Sequence, residues 1–288
     1  MQKVTVLGLG IMGGGIASNL LKKGFPVTVY NRTRSKAGPL AAQGATIAES
    51  LHQAVETAEV VISVVGDDTA SRETWTGVNG ALAGVKPGTV LIESSTLTPD
   101  WVRELAALAF EKQCKFLDAP LMGSRAAAAV GQLGLLIGGD AAVIDQVKPV
   151  LEAFSVRQAH LGATGAGATY KLITNMMTAI HVAAVAEGLT LAEKAGLNME
   201  QVAQLIQTSP TYSPVVQLKL PRMMENRYED TDFSLKWMLK DIGYALDLGE
   251  DLGVTLKTAS GAHQAFGIGV DKGLGEHDMA VVVEGLRK

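Results

Sequence analysis

Residues 4–13, Val4-Thr5-Val6-Leu7-Gly8-Leu9-Gly10-Ile11-Met12-Gly13, decide the fold of this chain. Four apolar or β-branched residues predict a short buried strand, and a helical pattern begins at Ile11 and runs to Lys23. The glycines between them match the G-x-G-x-x-G pattern of a dinucleotide-binding βαβ unit. Gly8 permits a tight turn, Gly10 lets a pyrophosphate approach the backbone, and Gly13 lets the helix pack closely on the strand. The N–H groups at the helix N-terminus favour the bound anion.

Short apolar segments recur through the first half of the chain and predict further strands. They are Pro26–Tyr30, Glu59–Val65, Thr89–Glu93, Lys115–Asp118 and Leu133–Ile137. Because these segments are continuously apolar and alternate with helical patterns, they indicate a parallel sheet with helices on both faces. We therefore predict a Rossmann dinucleotide-binding domain over residues 1–162.

The pattern changes at the glycine-rich segment Gly162–Gly167, which we interpret as a hinge. A long helix is predicted from about Ala168 to Ala195, followed by helices at Met199–Gln207, Val215–Asn226, Phe233–Leu252 and Leu256–Lys272. The predicted fold class is therefore α/β, with an N-terminal Rossmann domain joined by a long interdomain helix to an all-helical domain at residues 163–288. The apolar character of the long helix predicts a homodimer or homotetramer built through the helical domain.

Composition excludes several classes of protein. The 288 residues include 25 Lys+Arg and 29 Asp+Glu, a net charge of −4, so nothing in the overall charge favours nucleic acid or an anionic membrane as a partner. The single cysteine, Cys114, excludes an internal disulfide framework and a cysteine-cluster zinc site. The histidines lack metal-ligand spacing, so no metal is expected. No transmembrane segment or signal peptide is predicted, and we expect a cytoplasmic protein.

The end of the second predicted strand indicates which dinucleotide binds. An NAD site usually has an acidic residue there for the ribose 2′-hydroxyl, whereas this chain has Asn31, Arg32 and Thr33. Arg32 can pair bidentately with a 2′-phosphate and stack on adenine. Asn31 and Thr33 can add neutral hydrogen bonds. The sequence therefore predicts NADP(H) as the cofactor.

Five motifs, in order along the chain, resemble the β-hydroxyacid dehydrogenase family, which includes 3-hydroxyisobutyrate dehydrogenase and glyoxylate/succinic semialdehyde reductase. They are the glycine loop Gly8–Gly13, Glu93-Ser94-Ser95-Thr96, Asp118-Ala119-Pro120, Gly165-Ala166-Gly167 with Lys171 and Asn175, and Asp232-Phe233-Ser234-Leu235 with Lys240-Asp241. The resemblance covers essentially the whole chain. It implies an oxidoreductase that acts on small hydroxy acids.

The resemblance also implies roles for individual residues. Val65, Gly66, Thr96 and Lys240 are expected to contact the cofactor, together with the glycine loop. The substrate-binding residues that it implies are Thr96, Met122, Gly123, Ser124, Lys171, Asn175 and Lys240. The backbone N–H groups of Gly123 and Ser124 correspond to those that hold the substrate carboxylate.

Lys171 and Asn175 are the candidate catalytic residues. They are four residues apart on the long predicted helix and so share one of its faces. Reduction of a carbonyl needs a hydride from nicotinamide and a proton for the developing alkoxide. A lysine ammonium beside that oxygen stabilises the charge and supplies the proton, and Asn175 can hydrogen-bond the oxygen or orient the lysine. The alternative interpretation is a lysine that extends to solvent and a surface asparagine.

The chain departs from the family at the substrate motif. The family has D-A-P-V-S-G-G where this chain has Asp118-Ala119-Pro120-Leu121-Met122-Gly123-Ser124. Met122 replaces a serine hydroxyl with a bulkier apolar side chain. Ser124 can supply a hydroxyl group two positions later. This change bears on the identity of the substrate more than on the reaction class.

We expect an NADP(H)-dependent reductase of a small aldehyde or keto acid, of the glyoxylate or succinic semialdehyde type, with Lys171 as the proton donor. Two alternatives stay open. One is an imine reductase, a class whose members generally lack a lysine at this position. The other is a non-catalytic dinucleotide-binding interaction module.

Overall fold

Strand β1 (Val4–Leu7) lies between two parallel neighbours in a nine-stranded sheet. The other strands are β2 (Val27–Tyr30), β3 (Thr46–Ile47), β4 (Val60–Ser63), β5 (Val90–Glu93), β6 (Lys115–Asp118), β7 (Leu121–Met122), β8 (Leu133–Gly139) and β9 (Ser155–Gly162). Their spatial order is β3-β2-β1-β4-β5-β6-β8-β7, and β9 pairs with β8. This computed structural model describes residues 1–287.

The first six strands are parallel, as the sequence predicts, but the sheet changes direction after β6. Strand β8 runs antiparallel to β6 and β7 and parallel to β9. The expectation of a parallel sheet is therefore wrong at β8. The direction of a strand depends on the segment that connects it to the preceding strand, and the apolar pattern does not reveal it. Strand β9 was not predicted, since it pairs with one strand and most of its side chains are exposed or half-buried.

Helices cover both faces of the sheet. They are α1 (Ile11–Lys22), α2 (Gly38–Ala41), α3 (Leu51–Val55), α4 (Asp68–Thr76), α5 (Pro99–Glu111), α6 (Arg125–Val130) and α7 (Ala141–Glu152). Alternate residues of the central strands β1, β4, β5 and β6 belong to separate apolar clusters: Val6 shares a cluster with residues of α1 and α7, and Leu7 shares one with residues of α4 and α5. Burial on both faces explains why the strands read as continuous apolar runs.

The long helix α8 (Ala166–Lys194) begins the helical half of the chain. It is followed by α9 (Met199–Gln207), α10 (Pro214–Met224), α11 (Leu235–Asp251), α12 (Lys257–Asp271) and α13 (Val282–Leu286). A separate apolar cluster, including Ala186, Leu220 and Phe266, forms the core of these helices. Among the helices of residues 1–287, only α8 is long and apolar enough to cross a membrane. Helices in the core of a globular protein can have the same length and composition, so this is weak evidence for a membrane span.

Contacts divide the chain into two compact units, Met1–Lys171 and Leu172–Lys288. Helix α8 contributes its first residues to one unit and the remainder to the other. The domain boundary that the sequence places between residues 162 and 163 stays a prediction.

Candidate active site

The glycine loop after β1 provides three different environments. Gly8 has a φ of +91°, and a Cβ added there would collide with the carbonyl oxygen of Val64. A Cβ on Gly13 would collide with the carbonyl oxygen of Gly8, so α1 packs directly on the turn. A Cβ on Gly10 would meet no described heavy atom within 4 Å. A tight turn, a close helix contact and an open backbone are what a bound pyrophosphate requires, so these residues fit a dinucleotide.

The N-terminus of α1 can bind an anion. Gly10 is its N-cap residue, and within residues 1–287 no side chain caps this end of the helix. The first turn also contains no acidic residue. Backbone N–H groups and the partial positive charge of the helix end are therefore open to a phosphate.

Asn31, at the end of β2, holds the glycine loop in place. Its Oδ1 accepts a hydrogen bond from the N–H of Leu9 at 2.8 Å. Its Nδ2 donates to the carbonyl oxygen of Thr33 at 3.0 Å. Both ends of the amide therefore have partners inside the chain, which makes Asn31 a support for the loop as well as a candidate contact for the cofactor.

Arg32 and Arg34 border a cleft of about 100 Å³ at the same end of β2. Arg34 forms an ion pair with Glu49. Arg32 is exposed, and its side chain makes no hydrogen bond or ion pair with residues 1–287. Of the two guanidinium groups, that of Arg32 can therefore bind a phosphate without first breaking an ion pair.

The segments that follow β4 and β5 are joined by hydrogen bonds. The N–H of Val65 donates to Oγ of Ser95 at 2.8 Å, and the N–H of Ser94 donates to the carbonyl oxygen of Ser63 at 2.9 Å. Val65, Gly66 and Thr96 are half-buried. The structure thus brings these predicted cofactor contacts to adjacent carboxyl ends of parallel strands, where ligands of open α/β sheets bind.

The substrate motif forms a turn between β7 and α6. Met122 is 39% exposed at the end of β7, and Gly123 has a φ of +131°, which favours glycine. Oγ of Ser124 accepts a long hydrogen bond of 3.4 Å from the N–H of Ala127 and so caps α6. A hydroxyl that accepts this bond still has a proton to donate.

Helix α6 is anchored on α1. A Cβ on Gly15 would lie 2.7 Å from the carbonyl oxygen of Ala128, and Nδ2 of Asn19 donates to that oxygen at 2.8 Å. The glycine loop and the substrate motif are therefore attached to two helices in direct contact. The small residues Gly15 and Ala128 allow this close packing.

Asp118 fixes the start of α8, a role that the sequence analysis missed. Its fully buried carboxylate accepts hydrogen bonds from the N–H groups of Gly165 at 2.8 Å and Ala168 at 2.9 Å. Burial raises the pKa of Asp118, and these backbone hydrogen bonds oppose the shift. A Cβ on Gly167 would lie 2.8 Å from Oδ2 of Asp118. Gly167 therefore allows close packing on Asp118, and the interpretation of Gly162–Gly167 as a hinge stays a prediction.

Lys171 and Asn175 lie one turn apart on α8. Lys171 is half-buried, and Asn175 is 9% exposed. Nδ2 of Asn175 donates a hydrogen bond of 2.6 Å to Oδ2 of Asp241 on α11. The alternative of a surface asparagine is therefore wrong, and the amide has a fixed orientation.

Lys240 is held by three neighbours on α11. Its Nζ lies 2.9 Å from Oδ1 of Asp241 and 4.7 Å from the centroid of the Tyr244 ring. The Trp237 ring centroid is 5.9 Å away. Asp241 therefore links Asn175, which lies 66 positions before it, to Lys240, and the sequence did not reveal this connection. Within residues 1–287, no group of three or more His, Cys, Asp or Glu side chains is placed to hold a metal ion.

Comparisons with known proteins agree with this geometry. Residues 3–162 match the NAD-binding domain of 6-phosphogluconate dehydrogenase, and residues 165–286 match the NAD-binding domain of NADP-dependent 3-hydroxyisobutyrate dehydrogenase. Glyoxylate/succinic semialdehyde reductase 1 of Arabidopsis thaliana is 33% identical over 286 residues, which are 99% of each chain. The chain belongs to the β-hydroxyacid dehydrogenase family.

Solved structures of known proteins support the same assignment. Mycobacterium tuberculosis 3-hydroxyisobutyrate dehydrogenase, solved with L-serine, is 31% identical with a TM-score of 0.89, and the match covers 100% of both chains. An imine reductase from Myxococcus stipitatus is 23% identical with a TM-score of 0.65 over 99% of both chains, a likeness of fold alone. The predicted Rossmann and helical architecture is confirmed, and this β-hydroxyacid dehydrogenase has the domain that binds a nicotinamide dinucleotide.

Proposed function

We propose that this β-hydroxyacid dehydrogenase is an NADPH-dependent reductase of a small aldehyde or keto acid. The observation that carries the proposal is Lys171 on α8, one turn from the buried Asn175 whose amide Asp241 orients. Glyoxylate and succinic semialdehyde appear in the name of the Arabidopsis relative, and they are our first candidate substrates.

The cofactor supplies a hydride when it is bound. The glycine loop and the N-terminus of α1 would hold its pyrophosphate, and Arg32 its 2′-phosphate. Val65, Gly66, Thr96 and Lys240 would contact the nicotinamide half. Because the carboxyl ends of β4 and β5 are already joined by hydrogen bonds, these contacts need little reorganisation on binding.

Lys171 would hold the proton that the reduced oxygen needs. Its ammonium group stabilises the developing alkoxide and donates the proton to it. Asn175 has one Nδ2–H engaged by Asp241, which leaves the second N–H and Oδ1 to bind the substrate oxygen or to orient Lys171.

The substrate carboxylate would bind at the turn Met122-Gly123-Ser124. Backbone N–H groups and the Ser124 hydroxyl proton are the donors there. Met122 is exposed where the family motif has a serine, so it offers an apolar contact in place of a hydrogen bond. This favours an acid with an apolar segment over one with a hydroxyl at that point.

A substrate panel tests the proposal. NADPH oxidation is followed by absorbance with glyoxylate, succinic semialdehyde, other aldehyde and keto acids, and a cyclic imine. We expect turnover of at least one acid and no turnover of the imine. Turnover of the imine alone would favour an imine reductase, and NADPH binding without any turnover would favour a non-catalytic module.

The preference for NADPH is expected to depend on Arg32. Arg32→Ala should raise the KM for NADPH about 10–100-fold, which is the loss of affinity expected when a hydrogen bond between charged groups is removed. The KM for NADH should stay unchanged. Arg34→Ala is the matched control, because Glu49 already engages that guanidinium. Equal kcat/KM of the wild type for both dinucleotides would contradict the assignment.

We also propose that the protein is a homodimer or homotetramer. Exposed apolar side chains recur along one face of α8, namely Tyr170, Ile173, Met177 and Leu191. An apolar stripe of this kind is buried when a second copy packs on it. Light scattering should give a mass that is a multiple of the 30.1 kDa chain, and the mass of one chain would contradict the proposal.

A further inference from the structure

Glu93 is a fully buried acidic residue at the carboxyl end of β5. Its Oε2 accepts hydrogen bonds from Nε1 of Trp75 at 2.7 Å and Oγ of Ser71 at 2.8 Å. Its Oε1 accepts one from the N–H of Ser95 at 2.9 Å. A carboxyl group without partners at such a depth would strongly destabilise the fold, so these donors are needed to keep it there.

The donors around Glu93 are themselves ordered by other groups. Nε1 of Trp101, which can only donate, bonds Oγ of Ser71 at 2.9 Å, and this directs the Ser71 proton to Glu93. Burial raises the pKa of Glu93, and the hydrogen bonds from Ser95, Trp75 and Ser71 oppose the shift.

This network reaches the segments proposed to bind the nicotinamide half. Oγ of Ser95 accepts from the N–H of Val65, so the carboxyl group, Ser95 and Val65 form a continuous chain from β5 to the end of β4. Thr96 follows Ser95 directly. The indoles of Trp75 on α4 and Trp101 on α5 fix the opposite side of the network.

We propose that Glu93 is a positioning residue which, through Ser95, holds Val65 and Thr96 in the conformation that binds the nicotinamide half of the cofactor. This inference rests on the proposed function. Glu93 itself is enclosed by the protein and touches neither cofactor nor substrate. Substitution of Glu93 is therefore expected to weaken binding of the whole dinucleotide. Binding of the adenosine half should not change, because the glycine loop and Arg32 would bind that half.

The test compares Glu93→Gln with wild type. Glutamine keeps the size of the side chain but places an NH₂ group where a carboxyl oxygen accepts hydrogen bonds, so at least one of those bonds is lost. We expect the Kd for NADPH, measured by its fluorescence, to rise about tenfold. The Kd for 2′,5′-ADP, measured by calorimetry, should not change. Glu73→Gln, at an exposed glutamate on α4, is the matched control and should change neither Kd.

Ser95→Ala is the second variant, in case Glu93→Gln folds poorly. It keeps the buried carboxyl and removes the link to Val65, so it should weaken NADPH binding selectively as well. Equal weakening of NADPH and 2′,5′-ADP in both variants, or no weakening of either, would overturn the positioning role. Wild-type protein that binds neither NADPH nor NADH would instead refute the proposed function, and the inference with it.

Discussion

Lys171→Ala is expected to lower kcat about 10²–10⁴-fold, the usual contribution of a positioned general acid. Alanine removes both the proton donor and the positive charge beside the developing alkoxide. The Kd for NADPH should stay near the wild-type value, because the glycine loop and Arg32 are unaltered. Stopped-flow measurement of a single turnover with the best acid of the panel would isolate this step.

Two further variants separate the functions of Lys171. Lys171→Arg keeps the charge, but a guanidinium loses its proton far less readily than an ammonium, so we expect only part of the lost rate to return. Lys194→Ala removes another lysine of α8, at the far end of the helix, and should leave kcat unchanged. A kcat of Lys171→Ala within about tenfold of wild type would show that another group supplies the proton.

Asp118→Ala is expected to lower the free energy of unfolding by about 2–6 kcal/mol. The substitution leaves the buried N–H groups of Gly165 and Ala168 without their acceptor, and each unsatisfied buried group costs about 1–3 kcal/mol. Because these groups form the first turn of α8, the position of Lys171 should also be disturbed and kcat should fall. Urea denaturation followed by circular dichroism measures the stability.

Asp140→Ala is the matched control for Asp118. Asp140 also caps a helix, accepting from the N–H of Ala142 at 2.8 Å, but it is exposed. Water can replace an exposed cap, so we expect a loss of about 0.5–2 kcal/mol there. If Asp118→Ala destabilises the protein no more than Asp140→Ala, the buried carboxylate is not what fixes the start of α8.

Much of the local structure in the Rossmann half was predictable because its signals are local. The roles assigned to Gly8, Gly10 and Gly13 follow from backbone conformation and close packing within a few residues, and the structure shows those environments. The exposed Arg32 at the end of β2 could be located in the same way. The helical half was different, since nothing near Asn175 in the sequence indicates that Asp241 would bind it.

Local sequence patterns were sufficient to predict most of the strands, the long helices, the glycine loop, and the helical spacing of Lys171 and Asn175. These features depend on apolar periodicity and on φ preferences, which operate over a few residues. Tertiary contacts determine the direction of β8, the burial of Glu93, and the partners of Asp118 and Asn175. Hydrogen bonds across 47 and 66 residues hold those last two side chains, and such contacts exist only after the chain has folded, so no local pattern encodes them.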